Sequence, residues 1–429
     1  MSSAAEYTWA PPEFDLTHPP QSTDSFTVLS DPSLPGNFAR SAKWCPDGSV
    51  ALVQCEHREF RLISPRSEMQ NEASSSQLVW TLPQPAPILE YAWYPGATPA
   101  NPATFCFVAS VRETPVKLLD ASDGRLRASY RIVDHRERQI APHSLAFNLS
   151  ATRLYCGFED AIEVFDIGRP GEGTRLPTSP SKKSRDGLKG IISALAFSPS
   201  YESDFYAAGS LTAAPGNIAV FSEAEGAVPV LFVSGGPVAG VTQLHFNPMR
   251  PEILYAAFRR RREIYSWDLR ADVSAPLKIY SATSSVTDPP IGETNQKRRF
   301  DVDVGGRFLS VGDQEGNISV FDVSASAEDD MAIGTPSLKF SAHDDAIGAV
   351  AFHPTKAQLL SVSGSRHFQP PADGSGSDSE DDDDPDPEDD GGEGSVRVRE
   401  STGVQRAAAR PTPVPRDASV KVWDFGGRR

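Results

Sequence analysis

The chain alternates short apolar runs with polar, turn-rich punctuation, and one arrangement of the two keeps returning. A polar or turn residue precedes an alternating apolar run that closes on Asp or a stand-in for it. The instances are Glu59 to Ser64, Pro115 to Asp120, Ala161 to Asp166, Asn217 to Ser222, Glu263 to Asp268, Asn317 to Asp322 and Ser419 to Asp424, and their last residues lie 56, 46, 56, 46, 54 and 102 apart. A period-two pattern over six residues predicts a strand. Ahead of each closing strand stands a second apolar strand that usually runs into a turn, as in Ala42-Lys43-Trp44-Cys45-Pro46-Asp47-Gly48, Ala194-Leu195-Ala196-Phe197-Ser198-Pro199 and Ala349-Val350-Ala351-Phe352-His353-Pro354.

Seven starts match seven finishes. Units of this length that end on a Trp-Asp-like pair stack radially, because one small sheet cannot bury both of its faces alone. The pattern therefore predicts an all-β, seven-bladed β-propeller of the WD-repeat type. Only Trp267-Asp268 and Trp423-Asp424 keep the Trp-Asp pair. In the last blade Asp417, Ser419 and Trp423 have the spacing of the hydrogen-bond network that supports such blades, with His343 upstream as its fourth member, and their role is read as structural.

Few residues follow Asp424, so the apolar segment Phe26 to Leu29 is expected to supply the outer strand of the last blade and close the ring, which removes an exposed sheet edge. Residues 1–25 read as a disordered, Pro-rich N-terminus and 26–429 as the propeller. The long interval inside blade seven holds a segment rich in Asp, Glu, Pro, Gly, Ser and Arg. Such a composition cannot bury enough apolar surface to order itself, so 369–416 reads as a long disordered acidic insertion in the last blade.

Charge changes the picture once it is located. The formal charge of −16 argues against a nucleic-acid partner, but residues 373–393 hold 12 Asp or Glu and no Lys or Arg, so the rest of the chain carries −16 + 12 = −4. The acidity is a local run and the folded part is nearly balanced. Several loops expected on one face of the propeller are basic. They contain Arg112, Arg131, Arg136, Arg138, Lys182, Lys183, Arg185, Lys189, the run Arg259 to Arg262, Lys297 to Arg299, and Arg366. A ring of guanidinium and ammonium groups suits a phosphate backbone, whose affinity is mainly electrostatic. Charged surface loops are also ordinary, but four consecutive arginines repel one another and cost stability until an anion neutralises them.

Chemistry of other kinds finds no support. The four cysteines, Cys45, Cys55, Cys106 and Cys156, form no CxxC pair, and they read as reduced, buried thiols with no metal role. No apolar stretch approaches the ~20 residues that span a bilayer. There is no P-loop, GxSxG, HExxH or kinase set. His245 and His353 sit beside strand ends, where a structural histidine is the ordinary case. The expectation is a non-enzymatic chain without catalytic residues, cofactor or metal.

A further set of residues goes beyond the repeat consensus. Ser110 to Val116 (SVRETPV), Gly124 to Arg131 (GRLRASYR), Ala141 to Leu145 (APHSL) and Tyr155 to Phe158 (YCGF) resemble the telomerase Cajal body protein family. So do Asn37-Phe38 with Lys43 to Ser49, Gly190 to Ser193 with Ala196 to Pro199, and Thr294-Asn295-Gln296 ahead of Arg298. The resemblance runs in order from about Asn37 to Phe368. It implies a nuclear, Cajal body-like WD-repeat scaffold that binds small nuclear or small Cajal body RNA, with telomerase RNA as one possible ligand, as a monomer within a larger ribonucleoprotein and away from membranes. Carried over by position, Arg112, Arg131, His143, Arg259 and Arg298 are RNA-contact candidates, and the basic loops add Lys182, Lys183, Arg260 and Arg366. Pro237 departs from the family pattern, which has His in Gly-Gly-His, and the acidic insert is longer. A protein-only scaffold stays open as the alternative, since basic loops on a propeller can equally meet acidic proteins.

Overall fold

The computed structural model describes residues 10–28, 36–65, 77–181, 183–184, 186–283, 294–324, 333–368 and 413–426. These form seven sheets and no helix. Each sheet is an antiparallel blade, counted here from the innermost strand outward. Blade one consists of Ala39–Trp44, Ala51–Cys55, Glu59–Ser64 and Gln77–Pro83, and blade two of Ile88–Trp93, Cys106–Val111, Val116–Asp120 and Leu126–Tyr130. Blade three runs Ser144–Phe147, Arg153–Phe158, Ala161–Asp166 and Thr174–Pro177, and blade four Ile192–Phe197, Phe205–Ser210, Ile218–Ser222 and Pro229–Val233. Blade five runs Val241–Phe246, Ile253–Phe258, Ile264–Asp268 and Lys278–Tyr280, and blade six Asp301–Val302, Phe308–Gly312, Asn317–Asp322 and Leu338–Ser341. Blade seven takes Ile347–Phe352, Gln358–Ser363 and Ser419–Asp424 from one end of the chain and Gln21–Thr27 from the other.

The middle strands explain why alternation is imperfect in the sequence. Cys106–Val111, Ile253–Phe258 and Ile218–Ser222 are buried at every residue, because both faces of each blade press against a neighbour. The core is accordingly a ring of inter-blade layers. Tyr91 and Phe107 of blade two meet Phe60 of blade one, Tyr206 of blade four meets Tyr155 of blade three, and Ile347 and Phe352 of blade seven meet Phe308 of blade six. Between blades seven and one, Val420 and Val362 pack on Ala42 and Val53, so the ring is closed by the same kind of apolar layer that builds it.

Closure uses an earlier segment than Phe26 to Leu29. The outer strand of blade seven is Gln21–Thr27, whose Phe26 lies opposite Val420 and whose Ser22 lies opposite Trp423. An outer strand is washed by solvent on one side, so this one is polar and hydrophobicity does not mark it. Val28, just past the strand, is buried and donates its backbone N–H to Ala418 O at 2.9 Å. The N-terminal segment ahead of the strand is also docked. Phe14 sits edge-on to Phe308, Phe352 and Phe425 at 5.6, 5.2 and 5.6 Å, and Asp15 N–H donates to Phe425 O. A boundary at residue 25 therefore cuts through structure that begins at least by Phe14.

The acidic run and the bulk of the expected insert, 369–412, lie outside the described residues. Its far root is placed four residues short of 416: Val414 pairs with His367 and the Arg416 N–H donates to Asp345 at 2.9 Å. Blade five carries an addition that the repeat pattern does not contain, a parallel strand Ile333–Gly334 on Lys278–Tyr280.

Candidate nucleic-acid interface

Strand order assigns the loops to faces. Loops that join second to third strands share one face, called the upper face here, with those that lead from an outer strand to the next blade. Arg112, Arg131, His143, Lys183, Arg259, Arg260, Arg298 and Arg366 all fall on it; Lys182 and Arg185 lie outside the described residues.

These side chains differ in what already holds them. Arg112, Arg131, Lys183, Arg259 and Arg260 are exposed, and among the described residues no carboxylate pairs with any of them. Arg260 has φ +58°, in the left-handed region, so the turn that projects Arg259 and Arg260 is held in a conformation uncommon for a side chain of this size. Other members are spoken for. Arg262 pairs with Glu315 at 2.9 Å, and Arg366 donates through Nε to Glu56 at 2.7 Å while Arg40 approaches the same carboxylate at 3.4 Å. Arg298 donates through Nη2 to the carbonyl of Arg261 at 2.8 Å, which makes it the brace of the arginine turn. His143 is half-buried; burial first, then the Lys297 and Arg112 cations, hold its imidazole below the ordinary histidine range. This places His143, Arg112 and Lys297 in one electrostatic neighbourhood.

Beneath the face the inner strands enclose a channel of about 380 Å³ to which all seven blades contribute. Inner strands of five blades carry a bulge near their upper end, between Ala39 and Ser41, Ile88 and Glu90, Ile192 and Ala194, Val241 and Gln243, and Ile347 and Ala349. A bulge re-aims the residues around it, and Ser41, Glu90 and Gln243 line the channel. Glu90 is buried there between Lys43, at 3.0 Å, and the Arg299 guanidinium. Burial raises the Glu90 carboxyl, but Arg299, Lys43 and Lys297 outweigh that and leave it well below the usual carboxylate range. Lys297 answers in the opposite sense, since burial and the neighbouring Arg299 push its ammonium down to about 8. The sequence marks Lys297 and Arg299 as basic, but it gives no sign of Lys43 and Glu90, because nothing in linear order brings residues 43, 90 and 299 together.

The four residues of the last-blade network do meet. His343 Nδ1 lies 3.0 Å from Asp417 Oδ2 and 3.1 Å from Ser419 Oγ. Trp423 is not reached directly. Ser361, on the second strand of blade seven, lies 2.7 Å from His343 Nε2 and accepts the Trp423 indole N–H at 2.8 Å. In blade five, where Pro237 replaces the family's His, the Trp267 indole donates instead to the Ser234 carbonyl at 2.9 Å. The residue two beyond the tryptophan's strand partner is Ser361 in blade seven and Ala256 in blade five, so Trp267 finds no hydroxyl there and donates to the backbone.

No protein-family model matches the chain. Individual relatives do. The chain is similar to telomerase Cajal body protein 1 of Rattus norvegicus, 33% identical over 342 residues that cover 79% of this chain and 60% of that protein. The Homo sapiens protein of the same name is 32% identical over 344 residues, 79% of this chain and 59% of that one. The similarity to telomerase Cajal body proteins thus extends over 79% of the chain. The chain spans about 60% of the length of these curated relatives. A more distant similarity, 27% identity over 298 residues, covers 66% of this chain and 71% of guanine nucleotide-binding protein negative regulator 1 of Schizosaccharomyces pombe. The family elements Arg112, Arg131 and His143 lie on the loops around blade two, and Thr294 to Gln296 on the crossing to blade six. Gln296 Nε2 there donates to the Gly364 carbonyl of blade seven at 2.8 Å, so this element ties two blades at the rim of the same face.

Proposed function

We propose that the chain is a non-enzymatic RNA-binding scaffold of a nuclear, Cajal body-type ribonucleoprotein, and that RNA lies across the upper face. The observation that carries this reading is the set of cations without carboxylate partners among the described residues, Arg112, Arg131, Lys183, Arg259 and Arg260, on one face of a rigid ring. Phosphates would take the place of the missing counter-charges, and each contact would release counterions. His143 supplies a half-buried ring in the field of Arg112 and Lys297, suited to a base edge or a sugar hydroxyl. A ligand among small Cajal body, small nuclear or telomerase RNAs is in keeping with relatives named for telomerase and the Cajal body.

A second reading has an observation of its own. The fission-yeast relative is named for negative regulation of a guanine nucleotide-binding protein, which favours a protein-only scaffold whose basic face receives an acidic partner. Ultraviolet crosslinking of the full chain to total nuclear RNA, followed by sequencing of what is recovered, separates the two. A discrete set of small RNAs, lost on charge reversal at Arg259 and Arg260, is the expected result. Recovery of no discrete RNA species would favour the protein-only reading.

A further inference from the structure

The upper mouth of the channel holds more positive charge than the described residues around it balance. Lys43 and Arg299 both grip one carboxylate, Glu90. Lys43 also donates to the Tyr91 carbonyl at 2.5 Å, so two of its three N–H groups are engaged, and Arg299 is turned toward the Thr242 carbonyl at 3.5 Å. Lys297 stands two residues before Arg299, partly buried, at the edge of the cleft formed by Arg259 to Arg262. Among the described residues no hydrogen bond or ion pair engages its ammonium. The charges it feels are the cations Arg299, Lys43 and Arg40, and the Glu90 carboxylate that two of them already share.

A partly desolvated cation set among other cations costs free energy unless an anion joins it. A merely structural lysine in such a place would direct its ammonium to a carbonyl or carboxylate, as Lys43 does. Lys297 does neither; burial first, and then the neighbouring Arg299, push its ammonium down to about 8. The channel below, about 380 Å³, is at the lower end of small-ligand sites, about 300–1,000 Å³.

We propose that the channel mouth is a binding site for one phosphate-class anion, received from the upper face by Lys297 together with Arg299 and Lys43. The anion can come from two sources with the same chemistry, a backbone phosphate of bound RNA or a free phosphate-bearing small molecule. Only the first source rests on the RNA-binding reading. The site would survive the failure of that reading.

The test uses the full chain with pyrophosphate as probe, followed by calorimetric titration and by ³¹P line broadening. The wild type should bind it in the millimolar range or tighter. Lys297→Met should bind about tenfold more weakly, the loss of one charge-assisted contact. Lys278→Met, on the outer strand of blade five, should bind as wild type. Because K297M removes a cation from other cations, its melting temperature should not fall, and a weaker titration therefore reports the site and not unfolding. Displacement of prebound RNA by pyrophosphate would assign the anion to RNA, and simultaneous binding would assign it to a free ligand; both support the site. Absence of pyrophosphate binding at millimolar concentration, or equal affinity for wild type and K297M, would overturn it.

Discussion

Arg299, at the entrance to blade six, closes an ion pair with Glu90 of blade two across the central channel, 209 residues away along the chain. The pair therefore links opposite parts of the ring and does not staple neighbours. Glu90→Gln keeps the shape but leaves Lys43, Lys297 and Arg299 as buried or partly buried cations with no counter-charge. Breaking a buried pair from one side costs about 3 kcal/mol or more, a large share of a stability of about 5–15 kcal/mol. Denaturant unfolding should show a lower midpoint for E90Q, and the added change Lys43→Met should recover part of the loss, because two residues in one network are coupled. An unchanged midpoint in E90Q would contradict the bridging role.

Ser361 joins His343 to Trp423, so it should matter more than Ser419, which shares His343 Nδ1 with Asp417. Ser361→Ala strips a buried indole N–H and a buried imidazole nitrogen of their partner, at about 1–3 kcal/mol for each. Ser419→Ala leaves Asp417 in place and should cost less. Melting temperatures of the two variants check the order, and equal losses would show that Ser361 is not the link.

Acid should loosen the junction between blades seven and one through His353. Its Nε2 lies 3.0 Å from the Gly48 carbonyl, and its Nδ1 accepts the N–H groups of Thr355 and Lys356, both at 3.1 Å, so the ring is held neutral. Burial pushes its pKa down to about 4. The unfolded chain takes up that proton near pH 6.5, so between about 6.5 and 4 the unfolded state binds more protons and stability falls as pH falls. His353→Gln removes this contribution. The difference in unfolding free energy between wild type and H353Q should shrink as pH drops through that window, and a constant difference would count against it.

The N-terminal segment offers a plain contrast. Phe14 is half-buried against Phe308, Phe352 and Phe425, so Phe14→Ala should cost about 2 kcal/mol, less than a fully buried phenylalanine. Deleting residues 1–20 removes this anchor and should lower the melting temperature. Deleting 1–27 also removes the strand that pairs with Ser419–Asp424 and should lower it further. Equal melting temperatures for the full chain and the 1–20 deletion would refute the docking of Phe14.

What could be read from sequence follows from where burial leaves a pattern. Strands such as Ala161–Asp166 and Asn317–Asp322 are pressed between blades, so their apolar runs are regular and the seven-fold repeat is visible. Gln21–Thr27 is solvent-facing and polar, and Phe14 is one aromatic among prolines, so neither carries a period. At the candidate interface, sequence locates charge but not pairing. Arg262 and Arg366 look like Arg259 and Arg260 until Glu315 and Glu56 are seen beside them. Ser361 and Glu90 had no signal at all, since one hydroxyl or carboxylate acquires its role only when the ring closes around it.

The central claim is that cations of the upper face with no carboxylate partner among the described residues hold RNA, and the salt dependence of affinity tests it most directly. Binding of the full chain to a fixed single-stranded RNA, measured over a series of salt concentrations, gives a slope of log affinity against log salt that counts phosphate contacts, about 0.7 per contact. Charge removal at Arg259 and Arg260 together should weaken binding and flatten that slope by about 1.4, with the melting temperature unchanged, whereas Arg366→Gln, already neutralised by Glu56, should change the slope little. Wild-type affinity and slope in the Arg259/Arg260 variant would contradict the account.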